Sequence, residues 1–86
     1  MKVTVLVRPK DGILDPQGEA VRGGLDHLGF KVRGARVGRL IDLELDATTV
    51  ADARAEVEEM CRQLLANPLI EGYQIVLADD PIDGRT

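Results

Sequence analysis

Residues 31–46, KVRGARVGRLIDLELD, decide how this chain of 86 residues folds. Apolar side chains alternate along the stretch, which predicts one extended strand, interrupted near Gly34 or Gly38, with an inward row formed by Val37, Ile41, Leu43 and Leu45. Such a strand is more than twice the common length of about five or six residues. Half of it would form an unpaired edge, which natural proteins avoid. The stretch therefore predicts a dimer in which two chains share one sheet.

The residues before this strand predict a first strand and a first helix. Residues 2–8, KVTVLVR, alternate as a half-buried strand does. Asp15 followed by Pro16 is typical of a helix start, and Gly29 of a helix end. The helix carries its apolar positions on one side, at Ala20, Val21, Leu25 and Leu28. Three glycines inside it, Gly18, Gly23 and Gly24, either admit a close backbone or are tolerated through packing; we favour tolerance.

The residues after it predict a second helix and a last strand. Thr48 or Thr49 caps the helix, and Asn67-Pro68 ends it, because the residue before proline is pushed out of helical geometry. Apolar residues recur every three or four positions, at Val50, Ala53, Val57, Met60, Cys61, Leu64 and Leu65. The last strand is expected over residues 69–78, where Tyr73, Ile75 and Leu77 alternate with other residues.

The predicted order is β-α-β-α-β, which is typical of a two-layer α+β domain with a long middle strand. Residues 1–78 form the single domain, and residues 79–86 are expected to be a loose polar tail. A chain this short has a thin core, so association with a second copy would stabilise it.

Composition excludes several functional classes. The net charge is −4, and the chain has two aromatic residues, Phe30 and Tyr73, whereas a domain that binds nucleic acid is usually basic and offers aromatic rings for stacking. No apolar stretch approaches the ~18 residues of a membrane span. A single cysteine fits a reducing compartment, and no secretory signal is evident, so a cytoplasmic location is expected.

No catalytic, cofactor or metal residue is predicted for this chain. A nucleophilic Cys61 would need exposure and a base such as His27, but Cys61 lies on the apolar stripe of the second helix. His27 is expected on the polar flank of the first helix. Carboxylates at Glu56, Glu58 and Glu59 fit a solvated helix face better than a metal site. The glycines of residues 23–29 match neither a dinucleotide loop nor a phosphate loop.

Three arginines in the predicted middle strand, Arg33, Arg36 and Arg39, form the most suggestive cluster. Guanidinium groups can hold carboxylates or phosphates through two hydrogen bonds. A protein interface is the interpretation we favour, and a solvated face is the alternative. Residues 1–39 have eight Lys or Arg and four Asp or Glu, whereas residues 40–86 have three and eleven. This asymmetry would help docking on charged partners or on a second copy.

Four segments together resemble the PurS family, the small subunit of phosphoribosylformylglycinamidine (FGAM) synthase in purine biosynthesis. They are LDPQGEAV at residues 14–21, LGF at 28–30, ARVGRLIDLEL at 35–45 and MCRQLLANPLIEGYQI at 60–75. Gly23-Gly24 departs from the bulkier helix formers expected there. The resemblance implies a non-catalytic, dimeric or tetrameric subunit of an ATP-dependent ligase complex, bridging a glutaminase subunit and a large synthetase subunit. ATP and magnesium would be used by the synthetase, with no cofactor on this chain.

The resemblance does not assign contacts to individual residues. We hypothesise that exposed Arg36 and Arg39 and the loop at Asn67 and Pro68 contribute to subunit contacts. The alternative for Asn67-Pro68 is that it only terminates the helix. Two other functions are kept open: a free-standing dimeric module that binds a small metabolite, and an enzyme that uses Cys61.

Overall fold

The computed structural model describes residues 1–77, in which three strands and two α-helices alternate. The elements are β1 (Lys2–Pro9), α1 (Pro16–His27), β2 (Arg39–Glu44), α2 (Val50–Met60) and β3 (Glu71–Leu77). A π-helical turn, Cys61–Leu65, continues α2. The predicted order β-α-β-α-β is confirmed. The predicted polar tail and Ala78 lie outside the described residues.

The first strand of the chain is the central strand of the sheet. The strands lie in the order β2-β1-β3, and β1 is antiparallel to both neighbours. Val5 lies opposite Ile41 on one side and opposite Ile75 on the other. Because side chains on a strand alternate, the odd-numbered valines of β1 share one face with these residues.

One face of the sheet is covered by α2 and forms the core. The buried set contains Val3, Val5, Val7, Ala53, Val57, Cys61 and Ala66. The row of β2 that shares this face, Ile41 and Leu43, is only half-buried. The two-layer α+β architecture is therefore confirmed, with half-buried apolar side chains on both outer strands, at Ile41 and Leu43 of β2 and at Ile75 and Leu77 of β3.

Both helices begin where the capping residues predict. The Asp15 carboxylate accepts a hydrogen bond from the Gly18 N–H at 3.0 Å, with Pro16 as the first helical residue. The Thr49 hydroxyl accepts one from the Asp52 N–H at 3.1 Å. These bonds satisfy amide groups that have no partner inside the helix.

The prediction of one long strand over residues 31–46 is wrong for the single chain. β2 covers only Arg39–Glu44, because these are the residues that pair with Lys2–Val7 of β1. Just before β2 the chain passes close to the end of β1, where a Cβ on Gly38 would collide with the Val7 carbonyl oxygen. Residues 30–38, which precede β2, have no strand partner in the described chain.

The root of the α1 arm, which we define as residues 13–38, is held together by contacts within the arm. The second carboxylate oxygen of Asp15 accepts a hydrogen bond from the Val37 N–H at 2.9 Å. Gly18 packs so closely on Ala35 that a Cβ would collide with the Ala35 carbonyl oxygen. The favoured interpretation of tolerance is therefore wrong at Gly18, whereas Gly23 and Gly24 have open space around them.

The apolar side of the α1 arm is left uncovered within one chain. Val21, Leu28 and Phe30 are exposed, and Leu25 is half-buried. The Cα atoms have a radius of gyration of 15.4 Å. A compact chain of this length would have about 12 Å, so the arm belongs to an elongated molecule.

The π-helical turn explains a wrong core prediction. The Ala66 N–H donates to the Cys61 carbonyl oxygen at 3.1 Å, five residues back rather than four. This wider turn shifts the apolar stripe, so that Leu64 is 84% exposed while Ala66 is buried. Cys61, which precedes the shift, keeps its predicted core position.

Candidate subunit interface

Arg39 occupies the start of β2 and forms the centre of a polar network. Its guanidinium group donates to both Glu71 carboxylate oxygens, at 2.8 and 3.0 Å, and to the Leu65 carbonyl oxygen at 2.8 Å. Arg39 pairs with Val7 on one side of β1, and Glu71 pairs with Pro9 on the other side, so the contact spans the end of β1. The paired, planar geometry is the one in which an arginine and a carboxylate bind most strongly. This contact joins β2, the π-helical turn and β3.

The electrostatics of the pair follow from these bonds. The hydrogen bond from Arg39 is the main cause that lowers the pKa of Glu71, and the Asn67 N–H contributes further. The bond to Glu71 likewise raises the pKa of Arg39. Both side chains are therefore held in their charged forms at neutral pH.

The loop at residues 66–70 is held by the same network. The Asn67 N–H donates to a Glu71 carboxylate oxygen at 2.8 Å, and the Asn67 side-chain oxygen accepts from the Leu69 N–H at 3.1 Å. The Asn67 carbonyl oxygen accepts from the N–H groups of Ile70 and Glu71. The Lys10 ammonium donates to the Pro68 carbonyl oxygen at 2.7 Å. Asn67-Pro68 therefore ends the helical segment and also belongs to a locked turn.

Arg36 lies outside this network. Its guanidinium group contacts the Asp11 carboxylate at 3.1 Å, and the Asp11 side chain is almost fully exposed. Two shallow depressions of about 260 and 270 Å³ share Leu6, Arg8, Pro9 and Arg36 in their linings. Of the four predicted interface residues, the structure thus brings Arg39, Asn67 and Pro68 together and places Arg36 at a neighbouring position.

Two members of the network are not predicted from the sequence. Glu71 and the Leu65 carbonyl group complete it. Arg39 and Glu71 are 32 positions apart in the chain, and no spacing rule connects them. The only signal was the charge of Glu71 next to the Asn-Pro turn.

An apolar groove opens beside the network. It has a volume of about 400 Å³ and lies between the start of α1 and the start of β3. Its apolar lining includes Ile13, Leu14 and Ile70, with Arg39 and Glu71 at one side. Leu69, at the tip of the loop, is 83% exposed. This end of the molecule therefore combines fixed charges with uncovered apolar side chains.

Cys61 has the properties of a core residue rather than a nucleophile. Its side chain is fully buried, and burial is the main cause that raises its pKa. A nucleophilic cysteine needs a lowered pKa and access to substrate. His27 is an exposed residue in the last turn of α1. Within residues 1–77, no group of three or more His, Cys, Asp or Glu side chains could hold a metal ion. None of the helices in that range could span a membrane.

Comparisons with known proteins agree on one family. Residues 2–79 match the family model described as PurS, phosphoribosylformylglycinamidine (FGAM) synthase. The chain is 39% identical over 75 residues to the phosphoribosylformylglycinamidine synthase subunit PurS of Methanocaldococcus jannaschii, covering 86% of this chain and 90% of the relative. It is 44% identical over 73 residues to the corresponding subunit of Synechocystis, covering 84% and 71%.

A structural relative comes from the PurLQS structure of Thermotoga maritima. One chain of that structure superposes with a TM-score of 0.78 at 32% identity, covering 87% of this chain and 93% of the relative. Several further PurS structures superpose about equally well, including that of Methanocaldococcus jannaschii with a TM-score of 0.77. The likeness therefore extends over most of the chain.

Proposed function

Because the chain belongs to the PurS family, it is a subunit of FGAM synthase, and we propose that it acts there as a dimer that joins the glutaminase and synthetase subunits. The observation that carries the assignment is the family match over residues 2–79. The comparisons do not favour a free-standing metabolite-binding module. The location we propose is the cytoplasm, where a single unpaired cysteine such as Cys61 persists.

The chemistry of the complex supplies a physical reason for such a subunit. A glutaminase would release ammonia, and a synthetase using ATP and magnesium would add it to the activated formyl amide of the substrate. Free ammonia is diluted and protonated in bulk water, so transfer between the two sites requires that they be held together and shielded. A subunit that does this contributes surfaces rather than reactive groups. The buried Cys61 and the locked charges of Arg39 and Glu71 agree with this role.

A dimer is supported by what the α1 arm leaves uncovered. Residues 30–38 have backbone groups without a strand partner in the described chain, and Val21 and Leu28 expose an apolar side of α1. In β2, Ile41 and Leu43 are only half-buried. A second copy that paired with residues 30–38 and packed against α1 would satisfy these groups together. The pairing of residues 30–38 with a second chain is therefore still proposed, although β2 is shorter than the predicted strand.

Reconstitution tests the bridging role. The chain would be mixed with the matching glutaminase and synthetase subunits, and amidine formation would be followed with either glutamine or a high concentration of ammonium salt. We expect glutamine-dependent synthesis only when this chain is present, with ammonia largely bypassing the requirement. Equal glutamine-dependent activity without this chain would refute the proposal.

The contribution of Arg36 and Arg39 to subunit contacts is a separate proposal. Arg36→Glu would remove the contact with the exposed Asp11, which should leave the fold intact. Arg39→Glu would also break the clamp on Glu71, so its effect on assembly must be compared with its effect on thermal unfolding. Assembly that survives both reversals on a sizing column would exclude the two arginines from the interface.

A further inference from the structure

The end of the molecule where β1 finishes and β3 begins displays apolar side chains on a rigid frame. We call it the loop-end surface and define it by Ile13, Leu14, Leu69 and Ile70. Leu14 is 80% exposed, and Ile13 and Ile70 line the groove of about 400 Å³. Leaving a leucine side chain in water is unfavourable relative to burying it. A surface of this kind is typical of a contact with another protein.

The loop that carries Leu69 is fixed by bonds from four directions. Glu71 accepts from the Asn67 N–H, the Asn67 side chain accepts from the Leu69 N–H, and Lys10 donates to Pro68. The Lys10 N–H also donates to the Ile70 carbonyl oxygen at 2.8 Å, which joins the loop to the end of β1. A loop already held in one conformation loses little further entropy when it binds. The locked turn is therefore preorganised for a partner.

The charges around the loop-end surface indicate what kind of partner fits. Cationic side chains at this end outnumber anionic ones by one: Arg8, Lys10, Arg36 and Arg39 lie near Asp11, Asp15 and Glu71. The outer face of α2 carries the opposite charge, at Glu56, Glu58 and Glu59. Complementary potentials favour and orient protein association. A partner surface at the loop end should therefore be acidic around an apolar centre.

We propose that the loop-end surface docks another subunit of the synthase, which contributes an apolar pocket for Leu69 surrounded by carboxylates. This inference rests on the proposed function and adds to it the contact site and the chemistry of the partner. It adjoins the copy-to-copy contact proposed for residues 30–38 and α1, since Val37 and Gly38 line the same groove, but it assigns the loop at Leu69 to a different partner. Arg39 acts in it as a positioning residue, because it holds Glu71, and Glu71 holds the loop.

Two substitutions at one exposed position test the proposal. Leu69→Asp places a negative charge against the acidic surround, whereas Leu69→Lys removes the same apolar side chain but adds the favoured charge. Because Leu69 is 83% exposed and only its backbone N–H bonds within the loop, neither change should alter the fold. Binding would be measured separately to the purified glutaminase and synthetase subunits. We expect Leu69→Asp to weaken binding to one of them about tenfold or more, and Leu69→Lys clearly less.

Val50→Asp is the matched control. Val50 is 53% exposed at the first position of α2, where an added carboxylate is favoured by the helix dipole. It adds the same charge elsewhere, so binding should remain at the wild-type level.

Other results of these experiments would contradict the inference or the proposed function. If Leu69→Asp binds as well as the wild type, this inference is wrong. If Leu69→Asp and Leu69→Lys weaken binding equally, the proposal that the partner surface is acidic is wrong. Conversion of the Leu69→Asp protein alone from dimer to monomer would assign the surface to a second copy instead. If the wild-type chain binds neither subunit, the proposed function fails. If the wild-type chain binds and Leu69→Asp binds equally well, only this inference fails.

Discussion

Val57 and Val21 are the same amino acid on two amphipathic helices, yet they have opposite environments. Val57 is fully buried between α2 and the sheet, whereas Val21 on α1 is 44% exposed. The body of the molecule, formed by the sheet and α2, completes its core within one chain. The root of the α1 arm is closed by Asp15 and Gly18 through contacts within the arm, and the arm leaves its apolar side open. An amphipathic pattern therefore reveals that a helix needs a partner, but not whether its own chain supplies it.

We expect the largest difference in stability between aspartate substitutions at these two valines. Val57→Asp buries a carboxylate without a partner, which should cost more than about 4 kcal/mol and unfold the chain. Val21→Asp should retain the circular dichroism and thermal unfolding of the body while abolishing dimer formation on a sizing column. Loss of the fold in both variants would contradict the distinction between body and arm.

Thiol labelling of Cys61 measures how readily the core of the body opens. Because its thiol is fully buried and its pKa is raised, we expect a thiol reagent to label the native protein at least about a hundredfold more slowly than the unfolded chain. Labelling rates with and without denaturant provide the measurement. Rapid native labelling would show that the core opens readily and would revive a chemical role for Cys61.

Gly18 tests the root of the arm, and Gly23 is its matched control on the same helix. Gly18→Ala forces a Cβ against the Ala35 carbonyl oxygen and should destabilise the protein by about 1–3 kcal/mol. Gly23 has no atom within 4 Å of a Cβ at its position. Gly23→Ala should therefore stabilise by about 0.5–1 kcal/mol. Thermal unfolding of both variants at matched concentration checks the opposite signs, and equal shifts would exclude a tight root.

We expect the smallest change in stability when low pH protonates Glu71 in the network around Arg39. The folded-state pKa of Glu71 is lowered, so its stabilisation is fully present above the unfolded value near 4.3 and is lost as pH falls through the folded value. Glu71→Gln should reduce the midpoint of thermal unfolding at pH 7 and flatten its decline below about pH 4.3. Identical acid limbs in the two proteins would show that the pair contributes little.

Local chemistry was readable from the sequence, and distant pairing was not. Asp15-Pro16 and Thr49 begin their helices as predicted, because a cap depends only on the residues next to it. The extent of β2 was wrong because it depends on how much of β1 is available beside it. Leu64 was assigned to the core because a continuous α-helix was assumed across the π-helical turn. Arg39 was identified as an interface candidate, but its clamp on Glu71 required the three-dimensional structure.

The central place of β1 has a consequence for how the chain folds during its synthesis. Val5 pairs with Ile75, so the strand pairing that completes the sheet joins residues about 70 positions apart. The ribosome makes roughly 5–20 residues per second, and β3 is the last described element to be made. Until it emerges, one edge of β1 stays without its native neighbour. Such a high contact order predicts that the sheet is completed slowly, after synthesis of the chain. A second copy or a chaperone would be the first protein to cover the unpaired edge of β1.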